Sequence, residues 1–163
     1  LKMPKTIKKL TAEDVESIIE IARDSWKWTY KDIYNKEFIE NWISEKYSRE
    51  KLLNDIIRSQ KDDGIIFLGS FVKSIPIGFI ELKIGDYRAE LLRLYLKPEY
   101  THRGIGELLL LEAEKIMKKK GIVECILYVH KKNSIGISFY KKNGFEVKHI
   151  DGDDLVMEKE YKY

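Results

Sequence analysis

Two segments carry residue types whose spacing suits chemistry. The first is Leu94-Tyr95-Leu96-Lys97-Pro98-Glu99-Tyr100-Thr101-His102-Arg103-Gly104-Ile105-Gly106. There an apolar run enters a short loop, and two glycines open an apolar-striped helix. The unpaired N–H groups of a helix start attract an anion. Gly104 and Gly106 would let a diphosphate come close to the backbone. His102 and Arg103 add positive charge, with Arg103 the candidate for a direct phosphate contact. The same glycine pair also fits a plain tight turn. The second segment holds Asn133 and, further on, Ser138-Phe139-Tyr140-Lys141-Lys142-Asn143-Gly144-Phe145. It places an amide, a hydroxyl, a phenol and an ammonium around one short helix.

Other phosphate motifs fit less well. A nucleotide P-loop ends in Gly-Lys-Ser/Thr, which is missing after Gly106. A dinucleotide fingerprint needs a third glycine, and Leu109 holds that place. Lys118-Lys119-Lys120 suits the negative C-terminal end of a helix. His102, His130 and His149 show no ligand spacing with one another or with Cys125, so no metal is expected. Cys125 lies in an apolar run and reads as a buried small side chain.

These elements must be positioned by one fold. A chain of 163 residues suits a single domain over 1–163 with one core. Thirty basic against 27 acidic side chains give a net charge of +3, which argues against a nucleic-acid surface. The balance tips basic over residues 97–150 and acidic over 11–60. A basic half suits a phosphate-rich cofactor and an acidic half a cationic acceptor; both also suit ordinary solvated helix faces. No apolar run is long enough to cross a membrane, and a cytoplasmic location is expected.

The hydrophobic periods predict the following order. A strand runs from Lys5 to Lys9. A helix starts at Thr11, with Val15, Ile18, Ile19 and Ala22 on one face and a break around Lys27 to Tyr30. Two helical pieces follow, one marked by Phe38, Trp42 and Ile43, the other by Leu52, Leu53, Ile56 and Ile57 behind a Ser48 cap. Strands are predicted at Ile65–Val72, Ile77–Ile84 and Ala89–Leu96, with short antiparallel turns. Helix 104–119 carries Leu108, Leu109, Glu112 and Ile116 at helical spacing. Strand 124–130, helix 135–143 and strands at 145–150 and 155–160 complete the chain, the last a candidate edge for a homodimer. The strand–helix–strand passage from 89 to 130 implies one parallel pair.

Thr101-His102-Arg103-Gly104-Ile105-Gly106 resembles motif A of the GNAT superfamily of N-acetyltransferases, Arg/Gln-x-x-Gly-x-Gly/Ala, with Thr101 departing from the usual first residue. Val129 to Asn133 and Phe139 to Phe145 extend the likeness. The resemblance implies an α/β (α+β) fold, a mixed, mostly antiparallel central sheet of six to seven strands flanked by helices and splayed at strands 4 and 5. It implies acetyl-CoA (coenzyme A) as cofactor, with its arm between those strands. Leu94, Tyr95 and Leu96 would meet the arm through a β-bulge bracketed by Leu94 and Leu96. Thr101, His102, Arg103, Gly104, Ile105, Gly106 and Glu107 would hold the diphosphate. Asn133, Ser138 and Lys142 would add contacts, and Tyr140 would be the general acid beside the sulfur.

Acetyl transfer to an amine requires the amine to lose a proton, the carbonyl to be held as it becomes tetrahedral, and the thiolate to gain a proton. A phenol with an ordinary pKa of about 10 is close enough to a thiol for the last task. Tyr140 equally fits a packed aromatic. Glu81 is the candidate base or ammonium ligand; a solvent-facing strand glutamate is the alternative. Asp24 to Ile33 is dense in aromatics, so that Trp28, Tyr30 and Ile33 could wall an acceptor slot or pack the core. This segment resembles the PaiA-like branch, associated with spermidine and spermine acetylation, so the implied partner is a small polyamine. Glu13, Glu16, Glu20, Asp24, Glu37, Glu40 and Glu81 are candidate carboxylates for it. Ribosomal-protein N-acetyltransferases and a non-catalytic acyl-CoA sensor are the rival readings.

Overall fold

The computed structural model describes residues 6–163. Lys5, predicted to open the first strand, lies outside them. The chain runs β1 (Thr6–Lys9), α1 (Val15–Tyr30), α2 (Lys36–Lys46), α3 (Arg49–Gln60), β2 (Ile65–Val72), β3 (Ile75–Ile84), β4 (Arg88–Leu96), α4 (Ile105–Lys119), β5 (Glu124–His130), α5 (Ser134–Lys142), β6 (Glu146–Asp151) and β7 (Asp154–Glu160). Seven strands form one sheet in the order β1-β2-β3-β4-β5-β7-β6. Among the described residues only β4 and β5 pair in parallel, joined by the α4 crossover.

Local chemistry explains the element ends. The Asp14 carboxylate accepts from the Thr11 N–H at 2.8 Å and from the Thr11 hydroxyl at 3.3 Å. Thr11 and Asp14 thereby form a capping box at the helix start. Asn35 and Ser48 cap α2 and α3 through Phe38 N–H (2.8 Å) and Lys51 N–H (3.3 Å). Lys73 and Ser74 both take positive φ, the turn that matches the twist of a tight hairpin.

The sheet carries a core on each face. Ile18, Ile21, Ile43, Leu52 and Ile56 from α1–α3 pack on Phe67 and Phe79. Leu109, Leu110, Ala113 and Met117 of α4 pack on Ile80, Leu82, Leu127 and Met157. β2 and β3, buried on both faces, read as near-continuous apolar runs. Of the predicted stripe of α4, Leu109 is buried, while Leu108, Glu112 and Ile116 are only partly covered. On α1, Ile21 is buried where Ile19 is half-buried.

Two expectations are corrected. No break interrupts α1 at Lys27–Tyr30; the helix continues to Tyr30. Its end is held by a closed circuit of rings, Trp26–Tyr30–Tyr34–Phe38–Trp42, with neighbouring centroids 4.2 to 6.2 Å apart. Strand 155–160 is not an edge: β7 lies between β5 and β6, and the exposed edge on that side of the sheet is β6. The antiparallel hairpin β6–β7 leaves no other order once β7 pairs with β5.

Phe67 is fully buried on the face of the sheet covered by α1–α3. Phe67→Ala is expected to cost about 3–5 kcal/mol, read from the urea midpoint at unchanged slope.

Candidate active site

β4 and β5 pair only over Arg88–Leu91 and Glu124–Leu127. Beyond that, Leu94, Tyr95 and Leu96 pair only with β3, and Tyr128, Val129 and His130 only with β7. The register of β3 against β4 slips so that Leu92 is the extra residue. The bulge is thus at Leu92, upstream of the expected Leu94–Leu96 position, and it starts the divergence of the two strands. Main-chain groups of both strands are left facing a cleft of about 570 Å³.

The starts of α4 and α5 open on this cleft. His102 and Gly104 both have positive φ, 61° and 78°. For glycine that costs nothing, while for His102 it stores on the order of 1–2 kcal/mol. The double reversal turns the first N–H groups of α4 toward the cleft. Leu108 is the first to close a helical bond, to the Gly104 carbonyl at 3.2 Å. A Cβ on Gly104 would meet nothing within 4 Å, so its backbone angle is what requires glycine. A Cβ on Gly106 would stand 3.1 Å from the Phe139 ring, so this glycine lets α5 approach α4. The Thr101 hydroxyl donates to the Pro98 carbonyl at 2.8 Å and braces the loop from behind.

At α5, the Asn133 side-chain oxygen accepts from Gly136 N–H at 2.9 Å, and its NH₂ points to the Tyr30 hydroxyl at 3.5 Å. Tyr140 packs edge-on against Phe139 and Phe145. Burial, reinforced by Tyr95 and Tyr30, pushes its phenol well above the ordinary range, so the proton stays on at neutral pH. Burial does the same to Tyr30. Lys142 and Glu107 face each other at 3.8 Å on the rim, with exposed Ser138 nearby.

Leu94, Tyr95, Leu96, Thr101, His102, Gly104, Ile105, Gly106, Glu107, Asn133, Ser138, Tyr140, Lys142, Trp28 and Tyr30 all line the cleft. Three predicted residues do not. Arg103 is turned out, its guanidinium 5.5 Å from the Tyr100 ring. Ile33 packs on the α1–α3 core. Glu81 is fully buried beneath the sheet, neither solvent-facing nor at the cleft. Its Oε1 accepts from Arg93 Nη1 at 2.5 Å, and Asp55 approaches the same guanidinium at 3.9 Å. Among the described residues nothing donates to Glu81 Oε2. A proton there would make it a donor toward Asp55. Burial and Asp55 together push this carboxyl up to about 8 against the pull of Arg93.

Sequence reasoning missed Ser25, Thr29 and Arg93 on the cleft wall. Ser25, Trp28 and Thr29 share one helical face, a signal hidden by the expected break. The proposed acidic half does not converge there either. Glu16 is paired with Arg49, Glu20 with Lys97 and Glu40 with Lys27. Glu107 is the cleft's own carboxylate, while Asp24 and Glu99 border a neighbouring hollow beside Trp28.

Among the described residues no His/Cys/Asp/Glu group could hold a metal, and no helix is long and apolar enough to cross a membrane. Cys125 is buried on β5, and burial pushes its thiol up to about 12.

A seven-stranded mixed sheet parted over a glycine-opened crossover helix is the fold of an acyl-group transferase. The ribosomal-protein-S18-alanine N-acetyltransferase of Escherichia coli shares it, with a TM-score of 0.72 at 16% identity over 96% of this chain and 94% of that one, a likeness of fold alone. The chain belongs to the acetyltransferase (GNAT) family, whose model matches residues 16–145. It is 67% identical over 156 residues to the spermidine N(1)-acetyltransferase of Thermoplasma acidophilum, covering 96% of this chain and 97% of that one. The crystal structure of PaiA N-acetyltransferase from Thermoplasma acidophilum, in complex with coenzyme A, superposes with a TM-score of 0.96 at 66% identity, over 98% of this chain and 100% of the other.

Glu81 generates a pH prediction. Its raised value means that the folded chain keeps a proton which the unfolded chain releases near its ordinary 4.5. The resulting stability is complete below that value and is lost as pH rises toward about 8. Urea midpoints of the parent should fall over this window relative to Glu81→Gln. Parallel curves would mean that Glu81 is ionised throughout.

Proposed function

We propose that the cleft binds acetyl-CoA and the amine end of a polyamine such as spermidine, and that acetyl passes directly between them. The observation carrying this reading is the parted β4–β5 mouth over the α4 N-terminus. It offers main-chain hydrogen bonds to an extended amide-bearing arm and N–H groups to a diphosphate, the two chemistries that coenzyme A presents. The extensive match to a spermidine N(1)-acetyltransferase and to a coenzyme A complex supports both substrates.

On this reading the first turn of α4, from Gly104 to Glu107, holds the diphosphate, with His102 beside it. Leu94 to Leu96 and the Asn133 amide hold the arm. Acetyl-CoA supplies an acyl carbon activated by its thioester, and the N–C bond forms as the C–S bond breaks. Tyr140, which keeps its proton at neutral pH, gives it to the departing sulfur and regains one from solvent. The amine reaches the cleft along Ser25, Trp28 and Tyr30, and the proton it loses passes to solvent. Trp28 holds the Lys31 ammonium 4.6 Å from its ring centre, and an aromatic face of this kind favours a cation. Asp24 and Glu99 border the hollow that shares Trp28 and Pro98 with the cleft, beside Lys27 and Lys31. Glu81, buried behind Arg93, is given a supporting role: it fixes the guanidinium.

Thiol release from acetyl-CoA, with and without spermidine, tests the reading, and the product mass excludes simple hydrolysis. Spermidine-dependent release with monoacetylated product is expected. Release only with peptides bearing a free N-terminus would move the acceptor to proteins. Tight cofactor binding with no release across an amine panel would make the chain a sensor. Tyr140→Phe should lose about 10²-fold or more in kcat while calorimetric affinity for acetyl-CoA is kept; unchanged turnover would remove the acid from Tyr140.

A further inference from the structure

Gly78 lies on β3, directly opposite Leu96 of β4. It is buried and does not border the cleft, whereas Leu96 is half-buried and does. Its φ lies outside the left-handed region, so its backbone is open to other residues. What requires glycine is space. A Cβ on Gly78 would overlap the Leu96 Cδ2 methyl, and it would stand 3.5 Å from Leu96 Cγ and 3.1 Å from the Tyr95 carbonyl oxygen. A glycine inside a strand marks such a close approach. The other methyl, Leu96 Cδ1, reaches toward α4, 4.0 Å from where a Cβ on Gly106 would stand. The leucine thus spans from β3 to the first turn of α4, at the end of β4 where β5 has already parted. Its seat is the space that two glycines leave empty.

The seat leaves Leu96 one way to yield. Its main chain is pinned to β3, because the neighbouring Lys97 N–H donates to the Ile77 carbonyl at 2.9 Å. Behind it lies the packed core under α4, with Ile80, Leu109 and Leu110. Beside it the Phe139 ring already crowds Gly106. The cleft is the open side. Turning a leucine to another staggered rotamer costs less than displacing a hydrogen-bonded strand. A methyl group on Gly78 would therefore swing Leu96 into the slot between β4 and α4, over the N–H groups that face the cleft there.

We infer that Gly78 is a positioning residue for the cofactor: its missing side chain is the seat that holds Leu96 clear of the slot. This rests on the proposed binding of acetyl-CoA in the same cleft. The test is a double-mutant cycle on the full chain, read by calorimetric affinity for coenzyme A. Gly78→Ala should weaken binding by roughly tenfold to a hundredfold, the equivalent of an ordinary overpacking cost. The KM for acetyl-CoA should rise with it, while the KM for spermidine at saturating acetyl-CoA changes little. In a Leu96→Ala background the same substitution should change affinity by no more than about twofold. Leu96→Phe, too large for the seat, should lose affinity with Gly78 intact; retained affinity there would overturn the inference whether or not Gly78→Ala folds. Unchanged affinity in Gly78→Ala would also overturn it, and so would an equal loss in both backgrounds, which would put the clash at the Tyr95 carbonyl. Each of these results leaves the proposed function standing. A parent chain that binds no coenzyme A would overturn both.

Discussion

The constraint on which the structure depends is that β4 and β5 run together for four residues each and then part. A buried peptide group without a partner costs free energy comparable to a lost hydrogen bond, on the order of 1–3 kcal/mol. A globular core would ordinarily close such a gap. Here it is kept open by the extra residue at Leu92 and by the short α5, whose Asn133 cap and Phe139 contact wedge against α4. The parent strands are anchored elsewhere, β4 to β3 and β5 to β7, so the opening does not loosen the sheet. What remains is a slot lined with main-chain donors and acceptors, which favours an extended, amide-bearing ligand over a compact one.

Much of this was legible from the sequence because it rests on local rules. The period of apolar residues placed every strand within a few positions. Glycine beside a helix start located the α4 end of the cleft, and Ser48 marked a helix start by its cap. What local rules could not reach was decided by tertiary partners. Lys27 to Tyr30 looked like a break because polar and aromatic residues alternate there, yet the ring circuit with Tyr34, Phe38 and Trp42 carries the helix through. Glu81 alternates like a solvent-facing strand residue, but α3 lies over it and the Arg93 guanidinium donates to it. The acidic residues of the first helices looked like a cation sink until their pairing with Arg49, Lys97 and Lys27 was seen. Pairwise charge compensation across elements is invisible to composition.

The polar cluster under the sheet illustrates why such groups are retained. Arg93 and Glu81 are desolvated at a cost that a well-packed apolar pair would avoid. In return the guanidinium reaches three elements: β3 through Glu81, α3 through Asp55 and the end of α2 through the Lys46 carbonyl. It also stacks on Tyr47. A charged group with directional bonds fixes the angle between helices and sheet more narrowly than methyl groups can. The cleft wall at Tyr95, which packs against Tyr47, inherits that rigidity.

The lone cysteine has a consequence of its own. A protein that handles a thiol cofactor risks mixed-disulfide formation with it, and adventitious acylation of its own sulfur. Cys125, sealed beneath α4 with its thiol held protonated, presents no thiolate to either reaction. The chain can meet successive loads of free coenzyme without capturing one covalently, and a colorimetric thiol reagent added to the native enzyme registers product sulfur and not the protein's own.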